Sequence, residues 1–247
     1  MQVTDRAWIR QRLRADPALH LYELGDLDDF FWPHTRWYAR GDATALVYTA
    51  SELPVLVALG GAEHAALLAE LRDVLPARVY AHLSPGLVAR LAPRFADEPH
   101  GEFLKMILAD PAAVPAAAAT RLGPADRDEL VAFYAHAYPA NWFDPRMLET
   151  GQYFAIREGG AIVAAGGIHV YSPAERVAAL GNIAVAPAAR GRGLARRVTA
   201  AVCRSLLRDC DHVGLNVRAD NAAAIACYTR LGFAHHAPYE EHLLVAD

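Results

Sequence analysis

The chain has 247 residues, with 24 lysines and arginines against 28 aspartates and glutamates and a formal net charge of −4. That length suits one large domain or two small ones, and 54% hydrophobic with 21% charged residues excludes disorder as the main state. The slightly acidic balance excludes a dominant basic surface, and no run approaches the roughly 20 apolar residues of a membrane span, so neither nucleic acid nor a membrane is expected as a partner.

The first residues carry Asp5, Arg6, Arg10, Arg12, Arg14 and Asp16 with no apolar stretch behind the charges, which does not read as a signal peptide. Cys203, Cys210 and Cys227 are an odd count without a metal spacing. A cytoplasmic chain with free thiols and no metal is expected. Lys105 is the only lysine; every other basic residue is arginine.

In chain order, Asp5–Arg14 and Pro17–Leu24 read as helices, then Trp37–Ala39, Ala43–Thr49 and Pro54–Ala58 as strands. Glu63–Val74 follows as a helix, Arg78–His82 as a strand, Pro85–Leu91 as a helix and Gly101–Leu108 as a strand. Residues 110–119 are rich in alanine and carry Pro111 and Pro115, which oppose a continuous helix. They read as a linker, and the expected division is 1–110, a linker at 111–118, and 119–247.

The second half is easier to read. Pro124–Ala137 is helical, with Asp126, Asp128 and Glu129 suiting the dipole of its first turns. Gln152–Arg157 and Ala161–Tyr171 form a hairpin about Glu158-Gly159-Gly160, and Arg176–Val185 is another strand. Gly193–Asp209 is an amphipathic helix, His212–Val217 a strand, and Asn221–Leu231 a helix stopped by Gly232. Phe233 starts a further extended segment. The order is mixed α/β, with a strand–helix–strand unit near residues 178–217.

The chemistry concentrates where the strand ending Asn182-Ile183-Ala184-Val185 meets Pro187 and the run Arg190-Gly191-Arg192-Gly193-Leu194-Ala195-Arg196. Glycines let backbone N–H groups approach a ligand, and the following helix adds unpaired donors. With arginines at the rim, this is a candidate pyrophosphate site. A plain strand-to-helix turn is the competing reading. The run lacks the lysine of a P-loop and the third glycine of a dinucleotide loop.

Arg190-x-x-Gly193-x-Ala195 resembles the Gln/Arg-x-x-Gly-x-Gly/Ala signature of the GNAT superfamily of acyl-CoA-dependent N-acetyltransferases. A second segment, Asn221-Ala222-Ala223-Ala224-Ile225-Ala226-Cys227-Tyr228-Thr229-Arg230-Leu231-Gly232-Phe233, is similar to that family's Asn…Ala…Tyr…Gly-Phe pattern. The resemblance covers about residues 119–247.

It implies a twisted central sheet flanked by helices, with acetyl-CoA as cosubstrate and a primary amine as acceptor, by direct attack in a ternary complex. It implies that the backbone of Ile183, Ala184 and Val185 contacts the acyl chain, and that Arg190, Gly191, Arg192, Gly193, Leu194, Ala195 and Arg196 hold the pyrophosphate. Asn221 matches a cofactor contact and is also an ordinary helix N-cap. Tyr228 matches a general acid near the sulfur; a core tyrosine is the competing reading. Arg192 and Arg196 on a solvated helix face, and Cys227 as a small core residue, are further plain readings.

The base is open among His169, Tyr171, Glu175, Glu240 and Tyr138, with His169 and Glu175 taken as the catalytic candidates beside Tyr228. Tyr134, Tyr138, Trp142 and Phe143 either wall an acceptor pocket or form core. The first half reads as a smaller, degenerate GNAT-like second copy without its own acyl-CoA loop. Its Asp26, Asp28 and Asp29 form either an acidic surface turn or an amine-attracting patch. The alternative to an enzyme is an acyl-CoA-binding sensor without turnover.

Overall fold

The computed structural model describes residues 1–246. In chain order the elements are β1 (Gln2–Val3), α1 (Arg6–Leu13), α2 (Leu21–Gly25), β2 (Thr35–Arg40), β3 (Ala43–Tyr48), β4 (Val55–Ala58), α3 (Ala62–Leu71), β5 (Arg78–Leu83) and β6 (Phe95–Leu108). They continue with β7 (Thr120–Leu122), α4 (Arg127–Ala137), β8 (Tyr153–Glu158), β9 (Ala161–Ser172), β10 (Val177–Val185), α5 (Leu194–Leu206), β11 (His212–Arg218), α6 (Ala222–Thr229) and β12 (Phe233–Ala246).

The chain divides into two compact units. The first holds Met1–Lys105, Val217–Asp220 and the chain from His236 onward; the second holds Met106–Asn216 and Asn221–His235. The long strands β6 and β12 thus contribute residues to both.

In the first unit the strands lie in the order β1-β2-β3-β4-β5-β12-β6. Pairs β1/β2, β2/β3 and β3/β4 are antiparallel, and β4/β5 is parallel. A parallel pair needs a crossover, which α3 supplies. Leu67, Leu68 and Leu71 of α3 pack with Ala45, Val47, Leu56, Ala58, Val79 and Ala81 of the sheet. Asp5 caps α1 by accepting from the N–H groups of Ala7 and Trp8.

The second unit repeats that connectivity. Its order is β11-β10-β9-β8-β7: β7/β8, β8/β9 and β9/β10 are antiparallel, and β10/β11 is parallel across α5. Val198, Val202 and Leu206 fall on the buried stripe of α5, as their i, i+4, i+8 spacing requires.

Several expected elements differ. Of the expected Pro17–Leu24 helix only the part from Leu21 is α-helical, and that helix runs on to Gly25; the Asp16 carboxylate accepts from the Leu19 N–H and turns the chain first. Pro85–Leu91 is a single 3-10 turn, Leu87–Arg90, because Gly86 ahead of it is left-handed (φ 77°). The strand expected from Gly101 starts at Phe95. Within 111–118, Pro111–Ala113 is a 3-10 turn and Val114 is buried. Asp26 is buried rather than part of a surface turn, and burial pushes its carboxyl well up. All three cysteines are free, Cys203 and Cys210 buried and Cys227 half-buried. Among the described residues, no helix is long and apolar enough to cross a membrane.

Candidate active site

The site begins as a fault in strand β10. Gly181 opposes Gly167 of β9, but the next pair is Ala184 with Ala165, so β10 carries an extra residue at a bulge. Asn182, at the bulge, is left-handed (φ 55°) and buried. A non-glycine residue in that region persists only when its surroundings hold it, and here three aromatic segments do. The Tyr134 hydroxyl donates to the Asn182 carbonyl (2.8 Å), Asn182 Nδ2 donates to the Tyr153 hydroxyl (3.0 Å), and the Trp142 N–H donates to Asn182 Oδ1 (3.3 Å). The Tyr153 hydroxyl in turn donates to the Ile168 carbonyl (2.8 Å). Burial pushes both phenols above their ordinary range.

Beyond the bulge, β10 leaves its other neighbour. Parallel pairing with β11 runs from Val177↔His212 to Leu180↔Leu215 and stops, while β10 continues to Val185. The backbone of Ile183, Ala184 and Val185 therefore borders a wedge on the β11 side. The Ile183 side chain lies over Gly166, where a Cβ would collide with it, so the backbone is the part of Ile183 presented there.

The loop after β10 supplies a second set of donors. Gly191 (φ 76°) and Gly193 (φ 73°) are both left-handed, and a Cβ at either would meet nothing within 4 Å. Their glycines are demanded by backbone conformation and leave the space in front open. Gly193 is the N-cap of α5 without a side-chain cap, so the first N–H groups of Leu194 and Ala195 face outward with the positive end of the dipole. Arg190 reaches back to the Val185 carbonyl (3.4 Å). Arg196 is exposed and lies close enough to Cys227 to ease its ionisation against burial. Arg192 is committed elsewhere, to both oxygens of Glu158 in the β8–β9 turn (2.6 and 3.0 Å).

Helix α6 brings the third component. Asn221 caps it, its Oδ1 accepting from the Ala224 N–H (3.1 Å). Tyr228 is half-buried, its ring edge-on to Phe233 with centroids 5.9 Å apart. Its hydroxyl has no hydrogen-bond partner among the described residues, unlike a satisfied core tyrosine. Burial raises this phenol far above its usual range, and the Tyr138 and Cys203 groups nearby push it the same way, so it stays protonated at neutral pH.

The candidate bases separate. The His169 ring lies against Gly181, where a side chain would collide with it, one residue before the bulge. Glu175 is buried in the β9–β10 turn, its N–H donating to Ser172 Oγ. Nine strand residues put it roughly 25 Å from Val185, so it is not the base of this site. Tyr171 is at the same distant end, donating to Asp209 (2.9 Å), with its phenol pushed up to about 12 by burial and that carboxylate. Glu240 belongs to the first unit, where it accepts from the Gly86 N–H. The aromatic segment splits in two. Tyr134 is core, with the Phe143 ring tilted against it at 5.3 Å and edge-on to Tyr153 at 5.2 Å, while Tyr138 and Trp142 are exposed.

Sequence reasoning missed Tyr153 as a site-builder, and it missed that Asn182 and Tyr134 hold the bulge. The one visible signal was an asparagine inside an otherwise apolar strand. Among the described residues no His, Cys, Asp and Glu cluster could hold a metal ion.

Comparison with known proteins bears on the same segment. Residues 121–233 match the family model described as the acetyltransferase (GNAT) family. A curated relative from Tsukamurella paurometabola, named mycothiol acetyltransferase, is 41% identical over 115 residues, 43% of this chain and 37% of the relative. The chain spans about a third of the length of the curated relatives it matches. Among solved structures, a Drosophila protein superposes over 99% of this chain and 98% of its own, with TM-score 0.74 and 16% identity. A tandem GNAT protein from the clavulanic acid biosynthesis pathway covers 98% of this chain and 94% of its own, with TM-score 0.55 and 17% identity. The fold is therefore the GNAT fold: a large mixed sheet flanked by helices.

Proposed function

We propose, for a chain whose residues 121–233 form a GNAT-family acetyltransferase domain, that it moves an acetyl group from acetyl-CoA to a primary amine by direct attack in a ternary complex. The observation that carries this is the parting of β10 from β11 beside the glycine loop. A flat acyl chain fits the wedge, and a pyrophosphate fits the α5 N-terminus. Acetyl-CoA would supply an activated thioester.

The protein supplies the rest. N–H groups of Ile183, Ala184 and Val185 not used by β9 point toward the wedge and polarise a carbonyl held there. The N–H groups of Gly191, Gly193, Leu194 and Ala195, with Arg190 and Arg196, carry the phosphate charge, and Asn221 fixes the start of α6. Tyr228 gives its phenolic proton to the departing thiolate sulfur. The His169 imidazole receives the proton that the attacking amine sheds. Tyr138 and Trp142 stand exposed beside this machinery as acceptor walls. The names of the curated relatives favour a small-molecule acceptor. Use of acetyl-CoA and three free thiols favour a cytoplasmic protein.

The first unit is, in this reading, a second copy of the fold that has lost its acyl-CoA loop; the expected boundary at 111–118 falls inside the second unit, which begins at Met106, and the chain from His236 onward returns to the first. The deciding experiment is an acceptor screen that follows CoA release, with calorimetry of acetyl-CoA alone. Tight binding without release on any amine identifies an acyl-CoA sensor instead.

A further inference from the structure

The first unit buries charges that its packing does not explain. Glu23 and Lys105 are 3% and 4% exposed. One oxygen of Glu23 meets His20 Nδ1 (3.0 Å), but the other, Oε2, is buried without any hydrogen-bond partner. The Lys105 ammonium makes no hydrogen bond among the described residues. Its neighbours are two aromatic faces, Tyr22 at 5.0 Å and Tyr239 at 5.4 Å from Nζ. Burial lowers its pKa, against the fields of Glu23, Asp16 and Glu241. The nearby Glu241 is satisfied, accepting from the hydroxyls of Tyr80 (2.5 Å) and Tyr239 (2.8 Å).

An unpartnered buried charge is expensive, and replacing such a pair by apolar residues is often neutral or better. Four separate elements, α2, β5, β6 and β12, converge on this cluster, with His82 of β5 also facing Glu241. The chain otherwise uses arginine for every cation. Here it keeps a lysine, a compact point charge on a flexible stem.

We propose that the first unit holds a binding site for a free amino acid, with the ligand carboxylate on Lys105, its ammonium on Glu23 Oε2, and its body beside the rings of Tyr22 and Tyr239, which flank the lysine ammonium. One ammonium without a hydrogen bond and one carboxylate oxygen without a partner match the two ends of a small zwitterion. A simple anion would face the neighbouring carboxylates, and a simple cation would face Lys105. Nothing in this inference depends on acyl transfer in the second unit.

The test is calorimetry and thermal shift on the full chain with the common amino acids. At least one is expected to bind. Its decarboxylated amine and its N-acetyl form, each lacking one pole, are expected to bind at least tenfold more weakly. Lys105→Gln and Glu23→Gln are each expected to weaken binding at least tenfold while circular dichroism stays unchanged; if one fails to fold, the other carries the reading. The proposal is overturned if no common amino acid binds, or if the amino acid binds both folded variants as it binds the parent, which puts its site elsewhere.

Discussion

Strands β4 and β5 pair along the whole of β4, from Val55↔Tyr80 to Ala58↔Leu83, whereas β10 and β11 separate after four pairs. The two units share one connectivity, so the difference isolates what a ligand wedge requires. Two changes produce it. Strand β10 carries the Asn182 bulge, which strengthens the local twist and bends the strand away from its neighbour, while the β3/β4 register is unbroken. Strand β10 is also nine residues long against four for β4, so it has length left over after pairing ends.

The loops differ in the same sense. After β10, Gly191 and Gly193 face open space. After β4, the Gly60 N–H already donates to Ser84 Oγ (2.9 Å), and the His64 ring occupies the place a Gly60 side chain would take. The first unit has filled its own anion loop with a hydroxyl and an imidazole. It also lacks a counterpart of α6, since only the 3-10 turn Leu87–Arg90 stands between β5 and β6.

The largest expected effect follows from that missing helix. Tyr228→Phe removes a hydroxyl without a hydrogen-bond partner among the described residues and keeps the ring on Phe233. The turnover number should fall by about 10²–10⁴-fold, the range for a positioned proton donor. Acetyl-CoA affinity and melting temperature should hardly move. Full turnover on an identified acceptor would remove Tyr228 from the mechanism and leave only its packing.

Next comes a matched pair of loop variants. Gly193→Glu places a carboxylate where the pyrophosphate is assigned and forces a left-handed residue, and should weaken acetyl-CoA binding by about 100-fold, close to 3 kcal/mol. Gly61→Glu sits at the equivalent N-cap of α3, with φ −104° and nothing within 4 Å of its Cβ, and should leave affinity unchanged. Calorimetry on both folded variants decides whether the ligand belongs to the second unit. Equal losses would break the contrast between the units.

How much of this was legible in the sequence depends on how local each cause is. The strand–loop–helix at 182–196 and the cap at Asn221 are written in consecutive residues, and they form as the chain order suggests. The bulge was not legible, because whether Asn182 pairs depends on Gly166 and on Tyr134 and Tyr153, which lie 48 and 29 residues away. Glu175 and Tyr171 looked close to the site because the hairpin is short in sequence, yet an extended strand converts few residues into a long distance. The pairing of β12 with β5, Glu240↔Leu83 through Val245↔Arg78, joins residues more than 150 apart, and local periodicity carries no trace of it.

Asn182→Ala probes that hidden cause directly. It strands the Trp142 N–H, deprives Tyr153 of a donor and leaves a left-handed alanine, for a loss of about 1–3 kcal/mol from the unpaired groups alone. Urea unfolding should show this loss, with weaker acetyl-CoA binding in the variant that still folds. A loss of stability with unchanged affinity would mean that the bulge serves packing and not the wedge.

The smallest effect concerns Arg192, which the loop offers to a pyrophosphate but Glu158 holds. Both groups are exposed, and such pairs are individually weak and screened by salt. A phosphate that recruits Arg192 must displace Glu158, so the carboxylate competes with the ligand. Glu158→Gln should therefore strengthen acetyl-CoA binding, by only a few-fold, and make it more sensitive to salt, because one more cation becomes available. Arg192→Ala should weaken binding by a similar factor and flatten the salt dependence. Acid should imitate Glu158→Gln. The arginine holds the Glu158 carboxyl below its ordinary value, so the release comes only once the pH falls below the usual carboxylate range. If Glu158→Gln instead weakens binding, Glu158 positions Arg192 for the ligand rather than withholding it, and the open loop of the second unit owes part of its order to the β8–β9 turn.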